Sequence, residues 1–166
     1  MTVGTRSPRA ADRWFGAVAL ASLAAVGAAL VSQHVFDMQP CPWCVLQRVI
    51  YVAIALVCLV GLAWRGAAAA RAAAGLGALM AVAGAAAALW QHFKAASSAS
   101  CNLTLADKIV GALQLDSLWP DVFAARASCA DAAVSLAGIS YDFWSLALFV
   151  LIGAALLRVA THRRGR

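Results

Sequence analysis

Four long apolar segments constrain the fold of this chain more than any other feature. Apart from Arg48 near the start of the second and Arg158 near the end of the fourth, they are free of charged side chains. A helix needs roughly 20 apolar residues to cross the hydrocarbon core of a bilayer. Because the segments are continuous rather than alternating, they exclude the strands of a membrane β-barrel. The four segments are residues 14–36, 45–64, 72–93 and 143–161.

The overall composition supports the same fold class. Of the 166 residues, 64% are hydrophobic and only 12% are charged, whereas soluble domains carry about 25% charged residues. A soluble protein would have no place to bury so many apolar side chains. The sequence therefore predicts an all-α integral membrane protein, a single four-helix bundle over residues 1–166.

The distribution of basic residues predicts how the bundle is oriented. Nine arginines flank the termini and the connection between the second and third segments, whereas six of the seven acidic residues lie on the other side. Excess Lys and Arg mark the cytoplasmic face, so we expect both termini to be cytoplasmic. A cleaved signal peptide over residues 1–36 is the alternative, and it would leave the later segments oriented in the same way. The predicted cytoplasmic parts are 1–13, 65–71 and 162–166, and the two outer loops are 37–44 and 94–142.

Five cysteines are distributed unevenly over this topology. Cys41 and Cys44 form a Cys-x-x-Cys pair in the first outer loop, and Cys101 and Cys129 lie in the second. All four would face a non-cytoplasmic compartment, where disulfides persist. Cys58 lies in the middle of the second segment among Leu and Val residues, and we interpret it as a small packing residue.

The four loop cysteines admit three kinds of chemistry. A zinc site is disfavoured because Cys101 and Cys129 do not form a second close pair. Two structural disulfides remain an alternative, although a Cys-x-x-Cys disulfide closes a very small loop and gains little chain entropy. A c-type haem site would need His in place of Val45. Thiol–disulfide exchange is the favoured interpretation, and no metal site is predicted.

At this point the chain resembles the disulfide bond formation protein B (DsbB) family. The resemblance covers nearly the whole chain: four spans, the loop lengths, and four cysteines in the same order. Pro42-Trp43 alone is a weak motif, whereas the ordered set is specific. The matching residues are Gln33-His34-Val35, Pro40-Cys41-x-x-Cys44-x-x-x-Arg48, Gln91-His92, Leu115-Asp116, Val122-Phe123 and the lone Cys101 and Cys129.

The resemblance implies a protein-dithiol:quinone oxidoreductase of the bacterial inner membrane, with its active site on the periplasmic side. In that family a DsbA–DsbB–quinone system keeps the periplasm oxidising. A soluble DsbA-like, thioredoxin-fold partner would form a mixed disulfide with Cys101 of the Cys101–Cys129 pair. Cys129 would then attack Cys41, and Cys44 would pass the electrons to a quinone, either ubiquinone or menaquinone.

Two further residues are candidates for binding this quinone. Arg48 lies four residues after Cys44, so a helix would place both on one face, where the cation stabilises a thiolate and a quinone oxygen. An Arg inside a span is usually functional, although a snorkelling interfacial Arg is the alternative. His92 ends the third segment, and the resemblance implies contact with the quinone or its protons. An exposed, solvated His is the alternative there, and Gln33 and His34 are weaker candidates.

Other features leave alternatives open. Apolar residues in 113–123 predict either an amphipathic piece on the membrane surface or a small loop core. We interpret four aromatic residues as an interfacial belt: Trp43, Trp90, Tyr141 and Trp144. The alternative functions are a membrane thiol oxidoreductase of the vitamin K epoxide reductase type, in which the loop cysteines come before the Cys-x-x-Cys, and a non-enzymatic scaffold with structural disulfides.

Overall fold

Long apolar sequence forms helices here because a helix satisfies all of its own backbone hydrogen bonds. The structure, a computed structural model, describes residues 10–64, 66–95, 104–132, 134–136 and 138–161. Cys101 and most of the two predicted cytoplasmic ends, 1–13 and 162–166, lie outside the described residues. The four long helices are α1 (Ala10–Val35), α2 (Pro42–Ala63), α3 (Ala67–Trp90) and α7 (Tyr141–Thr161).

These four helices are each long and apolar enough to cross a membrane. The prediction of an all-α, multi-pass membrane bundle is confirmed. Along the bundle α1 packs on α2, α2 on α3, and α3 on α7, and α7 returns to α1. Of these neighbouring pairs, α1 and α7 contact each other least. This side of the bundle is where a cavity opens.

Shorter elements form the connections. A π-helical turn (Gln91–Ala95) continues α3, and a small antiparallel hairpin precedes α7. Gly138 adopts a positive φ of 78° at the turn of this hairpin, a conformation that favours glycine. The hairpin is an addition that the apolar pattern did not predict. The other short elements are α4 (Leu105–Ala112), α5 (Leu115–Leu118), α6 (Pro120–Phe123), β1 (Ser135–Leu136) and β2 (Ile139–Ser140).

Small residues on α3 let α7 approach closely. Gly77 and Gly84 face α7: a Cβ atom added to Gly77 would lie 2.8 Å from Leu156, and one added to Gly84 would overlap the ring of Phe149. Phe149 in turn stacks on Tyr51 of α2, with ring centroids 4.1 Å apart. Close packing of this kind associates membrane helices in the absence of a hydrophobic driving force.

The segment from α4 to α6 covers one end of α2. Phe123 and Val110 are buried against Val45, whereas Leu118 and Trp119 are 62% and 60% exposed. The apolar residues of 113–123 are therefore divided between a small loop core and an exposed surface. We call this end of the bundle, which carries the Cys-x-x-Cys pair, the cysteine end.

Candidate functional site

The Cys-x-x-Cys pair is formed by the start of α2. Cys41 is the N-cap residue in an extended conformation, and Pro42 follows at the first helical position, where its missing N–H costs nothing. The backbone N–H of Cys44 donates to Sγ of Cys41 across 3.3 Å. The two sulfur atoms lie 2.8 Å apart, longer than a disulfide bond of about 2.05 Å. Both cysteines are free here, and their sulfur atoms are in direct contact.

The two thiols differ in their surroundings. Cys41 is fully buried, and Cys44 is partly exposed. The hydrogen bond with Cys44 and burial together raise the pKa of the Cys41 thiol well above its usual value. Cys44 also accepts a hydrogen bond from Nε2 of Gln91 across 3.2 Å. This hydrogen bond from Gln91 favours negative charge on the Cys44 sulfur.

Arg48 lies one turn deeper than Cys44 on α2 and is buried, with 5% of its surface exposed. Its Nη1 donates to Oε1 of Gln33 across 2.7 Å and to the backbone oxygen of Val122 across 2.9 Å, and Nη2 donates to the backbone oxygen of Ala29 across 3.4 Å. These bonds use three of the five N–H donors of a guanidinium. Among the described residues, no carboxylate forms an ion pair with Arg48.

Gln91 is the centre of a buried polar network. Its Nε2 donates to Cys44 Sγ and, across 2.6 Å, to Oδ1 of Asp142. Its Oε1 accepts from Nε2 of Gln47 across 2.8 Å, and Oε1 of Gln47 accepts from the hydroxyl of Ser145. The hydroxyl of Tyr51 extends the network to Ser145 across 3.1 Å. The network joins α2, the π-helical turn and α7 at the cysteine end.

Asp142 and His92 form a second polar pair beside Gln91. Nδ1 of His92 lies 3.5 Å from Oδ2 of Asp142. The carboxyl group is 7% exposed and the imidazole 32%, so His92 lies between Asp142 and the surface. The His92 ring also packs on Phe93 and Phe143, with centroids 4.9 and 4.5 Å away.

The loop that follows α6 is attached next to the Cys-x-x-Cys pair. The backbone N–H groups of Arg126 and Ala127 donate to the carbonyl of Pro40 across 2.9 and 3.2 Å. Cys129 is held in a disulfide and is buried in one apolar cluster with Cys41. Sequence alone placed these two cysteines in different loops, and the fold brings them to the same cluster. The predicted role of Cys101 lies outside the described residues.

A cavity of about 490 Å³ extends from this site between α1 and α7. Its wall is mostly apolar, and its polar side chains gather at the cysteine end. Leu136 and Leu151 are exposed residues that also line it, so the cavity reaches the apolar outer surface. Its polar lining consists of Ser32, Cys44, Gln47, Arg48, Tyr51, Gln91, Tyr141, Asp142, Trp144 and Ser145.

The predicted site residues occupy different places relative to this cavity. Cys44 and Arg48 line it, as does Tyr141. His92 does not, and it reaches the cavity only through Asp142. The interpretation of Trp43 as an interfacial belt residue was wrong, because Trp43 is buried in the cluster around Cys41.

Sequence reasoning missed most of the polar network. Asp142 had a signal, since it is an acidic residue at the edge of the last apolar segment. Gln47 had one too, because it is a polar residue inside a span. Cys58 is fully buried in the main core, consistent with a packing role.

Comparisons with known proteins agree on one family. The family model described as disulfide bond formation protein DsbB matches residues 11–159. Disulfide bond formation protein B of Herminiimonas arsenicoxydans is 38% identical over 149 residues, 89% of this chain and 94% of that protein. The protein of the same name from Aromatoleum aromaticum is 32% identical over 144 residues, 84% and 86% of the two chains.

Disulfide bond formation protein B 1 of Pseudomonas syringae is 34% identical over 154 residues, 91% of this chain and 90% of that protein. No solved structure matches the chain. The match extends over all four membrane helices and both cysteine-bearing connections. The chain therefore belongs to the DsbB family of membrane proteins of disulfide bond formation.

Proposed function

We propose that this protein takes electrons from a periplasmic, DsbA-like dithiol protein and passes them to a membrane quinone. The observation that carries the proposal is the cavity between α1 and α7, which is lined by Cys44 and Arg48 and also by the exposed Leu151 of α7. A flat, apolar ring with two carbonyl oxygens matches an apolar cavity whose hydrogen-bond donors are gathered at one end. The net reaction converts a donor dithiol and a quinone into a donor disulfide and a quinol.

In the proposed relay, Cys101 and Cys129 form the disulfide that meets the soluble donor. The disulfide state of Cys129, beside three described cysteines that are free, supports this pairing. A donor thiolate attacks Cys101, one S–S bond forms as another breaks, and Cys129 leaves as a thiolate. Cys129 then attacks Cys41, with which it shares an apolar cluster.

Cys44 is the leaving group of this second exchange and the site at which electrons leave sulfur. Cys41 holds its proton tightly, so Cys44 is the better leaving group of the two. Cys44 accepts a hydrogen bond from Gln91 and faces the cavity. The donor's second thiolate then releases Cys101, Cys101 attacks Cys129 to restore their disulfide, and Cys41 leaves as a thiolate. As Cys41 and Cys44 form their disulfide again, two electrons pass to the quinone, and Arg48 stabilises the negative charge that develops on its oxygen.

We also propose that the protein lies in the bacterial inner membrane with the cysteine end in the periplasm and both termini in the cytoplasm. Arg13, Arg71 and Arg158 lie at the opposite end of the helices from the cysteines, in agreement with the positive-inside rule. Labelling single cysteines with a membrane-impermeant maleimide in intact cells tests this orientation.

The activity is tested with purified protein in lipid nanodiscs, a reduced thioredoxin-fold donor and a short-chain ubiquinone or menaquinone. We expect quinone absorbance to fall and donor disulfide to form in equal amounts. Cys44→Ser and Cys101→Ser should abolish turnover, and Cys58→Ala should keep it. Full turnover in either serine variant would contradict the relay.

A further inference from the structure

Asp142 is the one buried acidic side chain among the described residues, and it lines the cavity with Cys44. A buried carboxyl group costs free energy unless it is paired or hydrogen-bonded. Three side chains supply that compensation: Gln91 at 2.6 Å, Ser140 at 3.3 Å and His92 at 3.5 Å. One carboxyl oxygen therefore faces the network of Cys44, and the other faces the imidazole that leads to the surface.

A purely structural role does not account for this arrangement. Asp142 lies in the first turn of α7, where a carboxylate stabilises the helix dipole. An exposed carboxylate would serve that purpose equally well, and no hydrogen bond from a backbone N–H of α7 to this side chain is found among the described residues. The side chain is instead turned toward the cavity and His92.

Quinone reduction requires protons as well as electrons. Over one turnover the donor dithiol loses two electrons and two protons, and the quinone gains two of each to become a quinol. The donor's thiols react as thiolates, so their protons leave to the water of the outer compartment. A guanidinium such as that of Arg48 keeps its proton, and Cys41 is fully buried and does not line the cavity, so neither supplies the protons that the quinone takes up.

We propose, on the basis of the function proposed above, that Asp142 donates these protons to a quinone carbonyl oxygen, one at a time. After each transfer the Asp142 carboxylate takes a proton from His92, which takes one from outer water. Asp142 would touch the substrate and is the catalytic residue of the step. His92 acts through Asp142 and is a positioning residue.

The groups that face this pair set its pH dependence. Cys44 and Arg48 of α2 line the same cavity as Asp142, His92 of the π-helical turn lies against its carboxyl group, and Tyr141 precedes it on α7. Gln91 separates the carboxyl from the Cys44 sulfur by donating to both. A neutral amide in that position holds the two groups together without itself taking the proton.

The test compares Asp142→Asn with the full-length wild-type protein in nanodiscs, using a short-chain ubiquinone. General acid catalysis contributes roughly 10²–10⁴-fold, so we expect kcat for quinone reduction to fall by about 10²-fold. KM for quinone should stay within about twofold, since the amide keeps the shape of the carboxyl. We expect kcat of the wild-type protein to decline with rising pH as the general acid loses its proton, and this decline should be absent in Asp142→Asn. Asp142→Glu should restore part of the rate, and Asp116→Asn, which alters an exposed aspartate outside the cavity, should leave it unchanged.

Two readouts separate proton transfer from folding and from thiol chemistry. Thiol–disulfide exchange with the donor, followed without quinone by acid quenching, should be unaffected by Asp142→Asn. Infrared difference spectra recorded as the quinone is reduced should contain a carboxyl C=O band that Asp142→Asn removes and Asp116→Asn keeps. If Asp142→Asn fails to fold, His92→Gln is the second variant, and its slowed turnover should be rescued by imidazole in the buffer.

An unchanged kcat in Asp142→Asn, or a carboxyl band that survives it, would overturn the proposal. A fall in kcat matched by an equal fall in quinone-free exchange would also overturn it, as would a His92→Gln defect that imidazole does not rescue. Failure of the proposed function gives a different result, in which the wild-type protein exchanges disulfides with the donor but reduces no quinone.

Discussion

Arg48 of α2 donates to the side-chain oxygen of Gln33 of α1 across 2.7 Å, and both side chains then bond the backbone of α6. Arg48 reaches the carbonyl of Val122, and Nε2 of Gln33 reaches the carbonyl of Asp121 across 3.2 Å. The two side chains thus attach the short helix before Cys129 to the membrane helices. Arg48 therefore anchors this loop, and because it also lines the cavity, we propose a second role for it as a hydrogen-bond donor to the quinone.

Replacing Arg48 should reveal both roles. We expect Arg48→Ala to raise KM for quinone by about tenfold or more, because a hydrogen bond to a charged group contributes roughly 1.5–3 kcal/mol. Amide hydrogen exchange at residues 121–124 should also become faster. Steady-state kinetics and exchange mass spectrometry measure the two effects. An unchanged KM would refute the quinone role, and unchanged exchange would refute the anchoring role.

Gln33→Leu is the matched variant for the anchoring role. It removes the bonds to Arg48 and Asp121 but keeps the positive charge and its bond to Val122. Gln33 itself does not line the cavity. We expect faster amide exchange in α6 with a smaller change in KM than Arg48→Ala gives. An equal rise in KM would show that the anchor, rather than the charge, governs quinone binding.

The two thiols of the Cys-x-x-Cys pair should react at different rates. Thiolates rather than thiols are alkylated, and the raised pKa of Cys41 keeps that thiol protonated through neutral pH. We expect iodoacetamide to modify Cys44 of the reduced protein first, with Cys41 reacting more slowly and its rate increasing as the pH is raised. Peptide mapping after timed quenching measures both rates. Preferential labelling of Cys41 at neutral pH would contradict the structure.

The contact between α3 and α7 should not tolerate a larger residue at Gly84. An added methyl group would overlap the Phe149 ring, and overpacking a core costs about 1–3 kcal/mol. We expect Gly84→Ala to lower the thermal unfolding midpoint of the protein in detergent. Gly75→Ala is the matched control on the same helix, because nothing lies within 4 Å of its added Cβ. Equal midpoints for the two variants would contradict this packing.

The N-terminal cap of α4 should control the stability of that helix alone. Thr104 accepts from the N–H of Asp107 across 3.3 Å, and the Asp107 carboxylate accepts from the N–H and hydroxyl of Thr104. Removing such a cap costs about 1 kcal/mol, so Thr104→Ala should speed amide exchange across 105–112. Ser117→Ala, which removes an exposed hydroxyl from α5, should leave α4 unchanged. Slow exchange in both variants would show that packing on α2, not the cap, holds α4.

Local spacing predicted the features that one helix determines. The helix spacing of Cys44 and Arg48 correctly placed them on one face of α2, and continuous apolar sequence correctly predicted four membrane helices. Both predictions use only the helical periodicity and the length of one apolar segment, which can be read from the residues of that segment alone.

Contacts between distant segments could not be predicted in the same way. Gln91 and Asp142 are 51 residues apart, and Gln33 and Asp121 are 88 apart. Which residues meet depends on the register at which the helices pack. Small residues such as Gly84 set that register because a large side chain of the next helix, here Phe149, occupies the space beside them. Trp43 was misinterpreted for the same reason, since its burial comes from residues of α3 and of the segment after α6.

The π-helical turn at Gln91–Ala95 separates two requirements on α3, its packing against α7 and the direction of the polar side chains at its end. Upstream of it, the angular position of each residue is fixed by the fit of Gly77 and Gly84 against α7. A wider turn adds a residue without disturbing that fit, so Gln91 and His92 can both be directed toward Asp142. The packing of α3 on α7 and the direction of the polar side chains that follow α3 can therefore be set independently of each other. Substitutions at Gln91 or His92 can then change the hydrogen bonds around Asp142 without changing how α3 packs on α7. Deletion of a single residue from the turn would instead rotate every residue that follows it out of position.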